Sequence, residues 1–263
     1  MPRAASWAYA TGREKEMKRI VAAVSCAALT VSALAWTAAA RGAGGLGVRR
    51  SRGVAEPCST LDPSSFVSVI DNPYYPLPVG RTLVYTGIRD GQTQVDRVTV
   101  TDTTKMIGGV TATVVRDVAR HAGTLLEKTM DWFAQDVHGN VCYLGEDTKA
   151  YDANGGVDTS GSWEAGVGGA VPGIIMEADP QIPDSYRQEF LQGEAEDTAW
   201  IIGRGGSLRV PYAVVHDVLT SLEHTALEPD VIDEKVYAPG LGIVLERAIA
   251  GGQEVAKLVS VIG

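Results

Sequence analysis

Carboxylates beside aromatic rings are the first groups in this chain that could do chemistry. Glu146 and Asp147 follow Tyr143, Glu164 follows Trp163, and Glu189, Glu194, Glu196 and Asp197 precede Trp200. Two carboxyl groups flanking a bound sugar, with a ring as platform, are what a glycosidase or a sugar-binding cleft needs. The same residues equally suit a solvated acidic face. Trp163 stands among Gly161, Gly166, Gly168 and Gly169. A tryptophan in so open a stretch is either anchored into the core or held ready for a ligand. Residues 161–176, with Glu164, are therefore expected to form one wall of any site, a movable lip over a pocket. Trp132 and Tyr143 complete the candidate ligand-binding set. Strand alternation should place Met130 and Trp132 on one face and Phe133 on the other.

Other chemistry is thinly represented. The four histidines, His121, His138, His216 and His224, lie in separate segments without ligand spacing. His216 beside Asp217 could be an oriented base, but no nucleophile pairs with it. Residues 152–158 (DANGGVD) carry oxygen ligands in a glycine loop, yet lack the terminal Glu of an EF-hand, and Asn154-Gly155 reads equally as a hairpin turn. No nucleophile elbow, zincin helix, P-loop or dinucleotide fingerprint is present. Neither a metal nor a cofactor is expected.

Several segments carry a family resemblance. Residues 66–77 read FVSVIDNPYYPL, 131–136 DWFAQD, 145–148 GEDT, 161–166 GSWEAG, 172–176 PGIIM, 186–189 YRQE and 237–242 YAPGLG. Together they resemble a family of exported bacterial β-rich proteins of uncharacterised function, over about residues 66–261. The resemblance implies an exported β-rich fold and supplies no activity. Cys142 departs from it, standing where the family would have an aromatic residue.

The elements that must position these groups are short. β-branched and aromatic runs recur at 82–88, 95–102, 110–118, 125–135 and 141–151, and again at 186–190, 199–202, 207–212, 214–224, 235–237, 243–248 and 255–261. Asp90-Gly91, Gly108-Gly109, Gly139-Asn140, Asn154-Gly155, Gly205-Gly206 and Gly251-Gly252 separate them, the pattern of an antiparallel meander. Residues 161–173 read as a long loop, and 214–222 is the one segment that could rival as helix. Asp62-Pro63 could cap a helical turn reaching Ile70. The expectation is a mainly β fold: one antiparallel domain over residues 61–263, as a strongly curved sheet, half-barrel or sandwich.

The N-terminus has another character. Residues 1–52 hold nine of the 23 Lys and Arg but two of the 32 Asp and Glu. Met17-Lys18-Arg19 precedes an uncharged run over residues 20–40 that ends in Ala38-Ala39-Ala40, the form of a cleavable signal segment with a hydrophobic helix. Residues 1–40 are thus expected to direct export, with n-region from Met17, and 41–60 to be a flexible lead-in. The alternative is that residues 20–40 stay as a membrane anchor. Cleavage removes Cys26 and leaves Cys58 and Cys142, either bridged or as separate thiols. A bridge would stabilise by about 4–5 kcal/mol on the chain-entropy model.

Net charge −9 argues against a phosphate-binding basic face and hence against nucleic acid as partner. Two functions fit. The first is an exported, non-enzymatic β protein holding a small-molecule, lipid or protein ligand in a concave sheet. The second is a cell-envelope hydrolase using two carboxylates among Glu146, Asp147, Glu164, Glu189, Glu194 and Glu196.

Overall fold

The computed structural model describes residues 57–89 and 91–263. The expected signal segment and hydrophobic helix (1–40) and most of the lead-in lie outside the described residues. After the strand β1 (Phe66–Val67) come five longer ones: β2 (Thr82–Arg89), β3 (Gln92–Ile107), β4 (Val110–His121), β5 (Thr124–Asp136) and β6 (Val141–Tyr151). Short pieces follow: β7 (Val157–Asp158), β8 (Trp163–Glu164), β9 (Val171–Met176), β10 (Ser185–Arg187) and β11 (Glu189–Phe190). The last group is β12 (Asp197–Arg204), β13 (Ser207–Arg209), β14 (Val214–His216), β15 (Leu219–Thr225), β16 (Ile232–Ala238), β17 (Gly242–Ala250) and β18 (Val255–Ile262).

One antiparallel sheet runs in the order β10-β12-β15-β16-β17-β18-β2-β3-β4-β5-β6-β9-β11. Its two ends meet in a single stretch of chain. Ser185–Arg187 pairs with residues 198–200 of β12, and two residues on, Glu189–Phe190 pairs with Val171 and Pro172 of β9. The Gln188 N–H between them donates to the Asp197 carbonyl at 2.8 Å. The sheet is therefore nearly closed into a barrel, not an open half-barrel or a sandwich, and closure removes the exposed edges that a wide sheet would present. Gly173 sits at the seam, where a Cβ would meet the backbone of Arg187 and Gln188. Only glycine lets the two ends come that close.

Residues 57–80 cross one end of the barrel. Cys58 and Cys142 are joined by a disulfide, with Cα atoms 5.5 Å apart. Gly108 and Gly109, at φ 55° and 89°, turn the β3–β4 hairpin beneath Leu61 and Pro63, where a Cβ on Gly108 would meet Leu61. The motif around Asn72 is a clamp. Its Nδ2 donates to the Gly139 and Glu177 carbonyls, each at 2.9 Å, and its Oδ1 accepts from the Tyr74 and Tyr75 N–H groups. Gln135 Oε1 accepts from the N–H groups of Asp71 and Asn72, each at 2.9 Å. The Gly240 N–H donates to the Pro73 carbonyl at 2.8 Å. The segments at 66–77, 131–136 and 237–242 thus converge on this plug.

Several local expectations change. The capped turn after Asp62 is a single 3-10 turn over Pro63–Ser65, because Phe66 and Val67 pair with Asp136 and Gln135 instead of continuing it. The stretch 161–173 is not all loop: β8 pairs with β6, and β9 begins at Val171. The run 214–224 is two strands broken at Asp217, whose φ is 54° and whose N–H donates to the Gly206 carbonyl.

Candidate functional site

Strand register decides which side chains face the barrel interior. Asp96, Val98 and Val100 of β3 lie opposite Ala119, Asp117 and Val115 of β4. These in turn lie opposite Glu127, Thr129 and Asp131 of β5, and then Ala150, Thr148 and Glu146 of β6. Across the barrel, Glu223 opposes Asp233, Ser221 opposes Lys235, and Lys235 opposes Glu246. Period-two alternation keeps each set on one face. The result is a belt of carboxyl groups around the interior, with Lys235 and Arg89 as the cations among them. Asp96, Asp117, Glu127, Asp131, Glu146, Glu189 and Glu223 are each 5% exposed or less.

A bulge tightens this belt. Between the pairs Asp131–Glu146 and Phe133–Tyr143 the register slips by one residue, on the β6 side at Leu144-Gly145. The bulge puts Tyr143 and Glu146, three residues apart, on the same face. Gly145 makes it possible: its φ is 131°, and a Cβ there would meet the Trp163 carbonyl and the Trp132 ring. The aromatic rings then line up. Tyr75 packs edge-on against Phe133 at 5.3 Å, Phe133 stacks on Tyr143 at 4.9 Å, and Tyr143 meets Trp163 edge-on at 5.3 Å. The polar tips of Tyr143 and Trp163 end on acids. The Tyr143 hydroxyl lies 2.8 Å from Asp131 Oδ1 and 3.0 Å from Glu146 Oε2, and the Trp163 Nε1–H donates to Glu189 Oε2 at 2.7 Å.

Burial sets the protonation of these groups. Loss of water pushes Glu127, Glu189 and Glu246 up to about 8, against a lowering by Lys235 or Arg89. Asp131 and Asp197 are pushed up to about 7 by the same cause. Asp117 is raised well above the carboxylate range by burial and by Asp96 beside it, and burial also raises Asp96. Asp96 Oδ1 and both Asp117 carboxyl oxygens are buried without a hydrogen-bond partner. Lys235 is the counterweight. Burial alone would lower its ammonium, but Glu223 at 2.6 Å and Glu246 at 3.9 Å hold it well above the usual lysine value. The Tyr237 hydroxyl and the Ser221 hydroxyl both donate to Glu223 Oε1, at 3.0 and 3.1 Å.

A cavity of about 100 Å³ lies between the plug and the belt. Leu83, Val98, Val100, Val115, Phe133, Ile175 and Ile243 wall it, and Asp96, Asp131, Lys235 and Glu246 close its inner end. Half-buried Tyr75, Pro76, Leu77, Arg81 and Leu241 stand at its mouth. A second cavity of about 50 Å³, lined by Arg89, Gln94, Asp233 and Arg247 among others, sits beyond the belt, and Glu246 and Ala256 line both. The arrangement is an apolar chamber with an ionisable floor, suited to holding an amphiphile or to moving a proton within the belt.

The residues singled out in the sequence divide. Glu146, Glu189, Tyr143 and Trp163 come together in the interior. Asp147 instead pairs with Lys149 at 2.6 Å, and Glu164 with Lys105 at 2.7 Å, both partly exposed. Glu194 is exposed, and Glu196 accepts from the Gly193 N–H. Trp132 lies on the face opposite Asp131 and Phe133, under Lys105, whose Nζ is 3.2 Å from its ring centroid. Of the two readings of Trp163, the structure has the anchored one: at 4% exposure it is held in the interior by Tyr143 and Glu189. Asp152 Oδ1 accepts from the Asn154 and Gly156 N–H groups, which makes residues 152–156 a hairpin turn. Among the described residues no group of three His, Cys, Asp or Glu is placed to hold a metal ion. Asp96, Asp117, Asp131, Glu223, Lys235 and Glu246 escaped notice in the sequence. The one signal pointing to any of them was Gly145, a glycine inside a strand run, which marks a bulge.

No family model and no curated protein matches the chain. One solved structure, described as "a putative lipoprotein from Parabacteroides distasonis ATCC 8503", aligns with a TM-score of 0.35 at 11% identity, over 73% of this chain and 99% of that one. So distant a likeness carries no argument about this protein.

Proposed function

We propose that this is a non-enzymatic, exported barrel that holds a small, largely apolar ligand in its interior. The observation that carries the reading is the chamber itself: apolar and aromatic walls, a polar inner end, and a mouth of half-buried residues at the plugged end. Export is supported by the signal-like run over residues 17–40 and by the Cys58–Cys142 disulfide, which suits an oxidising compartment. Native mass spectrometry of the protein purified from its own host tests this. A retained organic molecule, displaced by a neutral fluorescent dye that enters the barrel, is the expected result. A protein that carries nothing and takes up no such dye overturns the reading.

The carboxylate hydrolase is the second reading, and one observation favours it: Asp131, Glu146 and Glu189 are buried acids beside Tyr143 and Trp163. Their geometry favours it less. Hydrolysis of a glycosidic bond needs about 5–9.5 Å between two carboxyls to admit the scissile bond or a water. Asp131 and Glu146 instead lie in hydrogen-bond contact with each other, beside the same tyrosine hydroxyl.

A further inference from the structure

Carboxyl groups outnumber cations at the chamber's floor. Asp96, Asp131 and Glu246 reach it, and Asp117 stands directly behind Asp96. The one cation among them, Lys235, is already engaged by Glu223 at 2.6 Å. Arg81 lies at the mouth, away from the floor, with its Nη1 donating to the Gly240 carbonyl at 2.8 Å. The decisive observation is Asp96. It is 5% exposed, it lines the cavity, and its Oδ1 has no hydrogen-bond partner. Glu246, at the same end, has Lys235 at 3.9 Å as its ion-pair partner. A buried carboxyl oxygen without a donor is costly and is normally satisfied, so Asp96 Oδ1, at the end of an apolar cavity, marks a place where a donor is missing.

We infer that the barrel takes a small amphiphile carrying a protonated amine, its head between Asp96 and Glu246 and its apolar body along Leu83, Val98 and Ile243. This rests on the binding reading above and adds the chemical class of the ligand. An ammonium offers three donors, enough to meet both carboxyls and still keep one for a water or for Asp131. It also favours the charged form of carboxyls that burial otherwise pushes up, whereas a carboxylate or phosphate head would push them up further. A fatty acid would have to bring a second anion into a floor already crowded with acids, and an alcohol would satisfy one oxygen with no charge.

Calorimetric titration of the full chain at pH 7.5 with octylamine, octanol and octanoate tests this. These three probes share one chain and differ in the head. Octylamine should bind at least about ten-fold more tightly than octanol, and octanoate most weakly. The double variant Asp96→Asn/Glu246→Gln, with both changes isosteric, should bring octylamine down to the affinity of octanol and leave octanol unchanged. Equal binding of octylamine and octanol, or an amine preference that survives the double variant, overturns the inference while the binding reading stands. If none of the three binds, the binding reading falls with it. The comparison within the unaltered protein does not depend on how well the variant folds.

Discussion

The Tyr143 hydroxyl stands within hydrogen-bond distance of two carboxyl oxygens, Asp131 Oδ1 and Glu146 Oε2, in the dry interior of the barrel. A hydroxyl has one proton to give. It can donate to one carboxylate, and the other contact is then a hydrogen bond only if that carboxyl is protonated and donates to the phenol oxygen. Two charged acids here would leave one repelled by the hydroxyl's lone pairs. The geometry therefore requires at least one neutral acid, in agreement with burial pushing Asp131 up to about 7.

Replacement of Tyr143 by Phe keeps the stack on Phe133 and removes only the shared hydroxyl. Stability at pH 7 should fall by about 1–3 kcal/mol, the cost of leaving buried acceptors without a donor. At pH 5, where Asp131 carries a proton and can itself donate, the loss should be smaller. Urea unfolding at the two pH values measures this, and an equal loss at both would mean that the hydroxyl's partners do not titrate.

The whole belt makes the same point on a larger scale. Glu127, Glu189 and Glu246 are held near 8 and Asp131 and Asp197 near 7, all above their values in an unfolded chain. Between about pH 4 and pH 8 the folded protein therefore binds more protons than the unfolded one. Its stability falls as pH rises through that window. The urea midpoint should be higher at pH 5.5 than at pH 8.5, and Glu246→Gln should flatten the slope. A midpoint that rises with pH would show that the belt is charged and internally paired.

How much of this was legible in the sequence varies by level. The hairpins were, because Gly108-Gly109 and Gly139-Asn140 interrupt β-branched runs where the strands do turn. Closure was not, since it depends on residues 185–190 pairing with β12 on one side and β9 on the other, and no local pattern announces a long-range seam. The site was least legible. In β3, Asp96 alternates with Val95, and the ordinary rule puts the acid outside and the valine inside. The structure does the reverse: Asp96 is 5% exposed and Val95 is 40% exposed. A barrel with a polar interior inverts the usual assignment of faces, so the candidate acids read from clustering were largely surface ones.

The disulfide ties the plug to the wall that carries the bulge, because Cys142 is next to Tyr143. Reduction, or Cys58→Ser with Cys142→Ser, should cost about 4–5 kcal/mol by freeing the closed loop in the unfolded chain. The loss of order should concentrate in residues 57–80. Hydrogen exchange with and without reductant would resolve it: faster exchange at the Tyr74 and Tyr75 amides, with little change in the β15–β16 pairing, is the expected pattern. Uniform acceleration would mean that plug and barrel unfold as one unit.

Trp163 and Trp132 separate the interior from the outer face in one comparison. Both are buried, at 4% and 7% exposure, so truncation of either to Ala should cost about 3–5 kcal/mol. Phenylalanine divides them. Trp132→Phe keeps a ring under Lys105, where the contact is cation–π, and should cost about 1 kcal/mol or less. Trp163→Phe removes the Nε1–H that Glu189 accepts at 2.7 Å. That hydrogen bond lowers Glu189 against the effect of burial. Without it the carboxyl should move further up, and the protein should lose more stability at pH 8.5 than at pH 5.5. At the higher pH the folded protein must either hold an unsolvated charge or keep a proton against the solution. Denaturant unfolding of the two Phe variants at both pH values decides the matter. A pH-dependent loss at Trp163 and a flat one at Trp132 is the expected result, and matching profiles would mean that the indole–carboxyl contact contributes nothing to the belt.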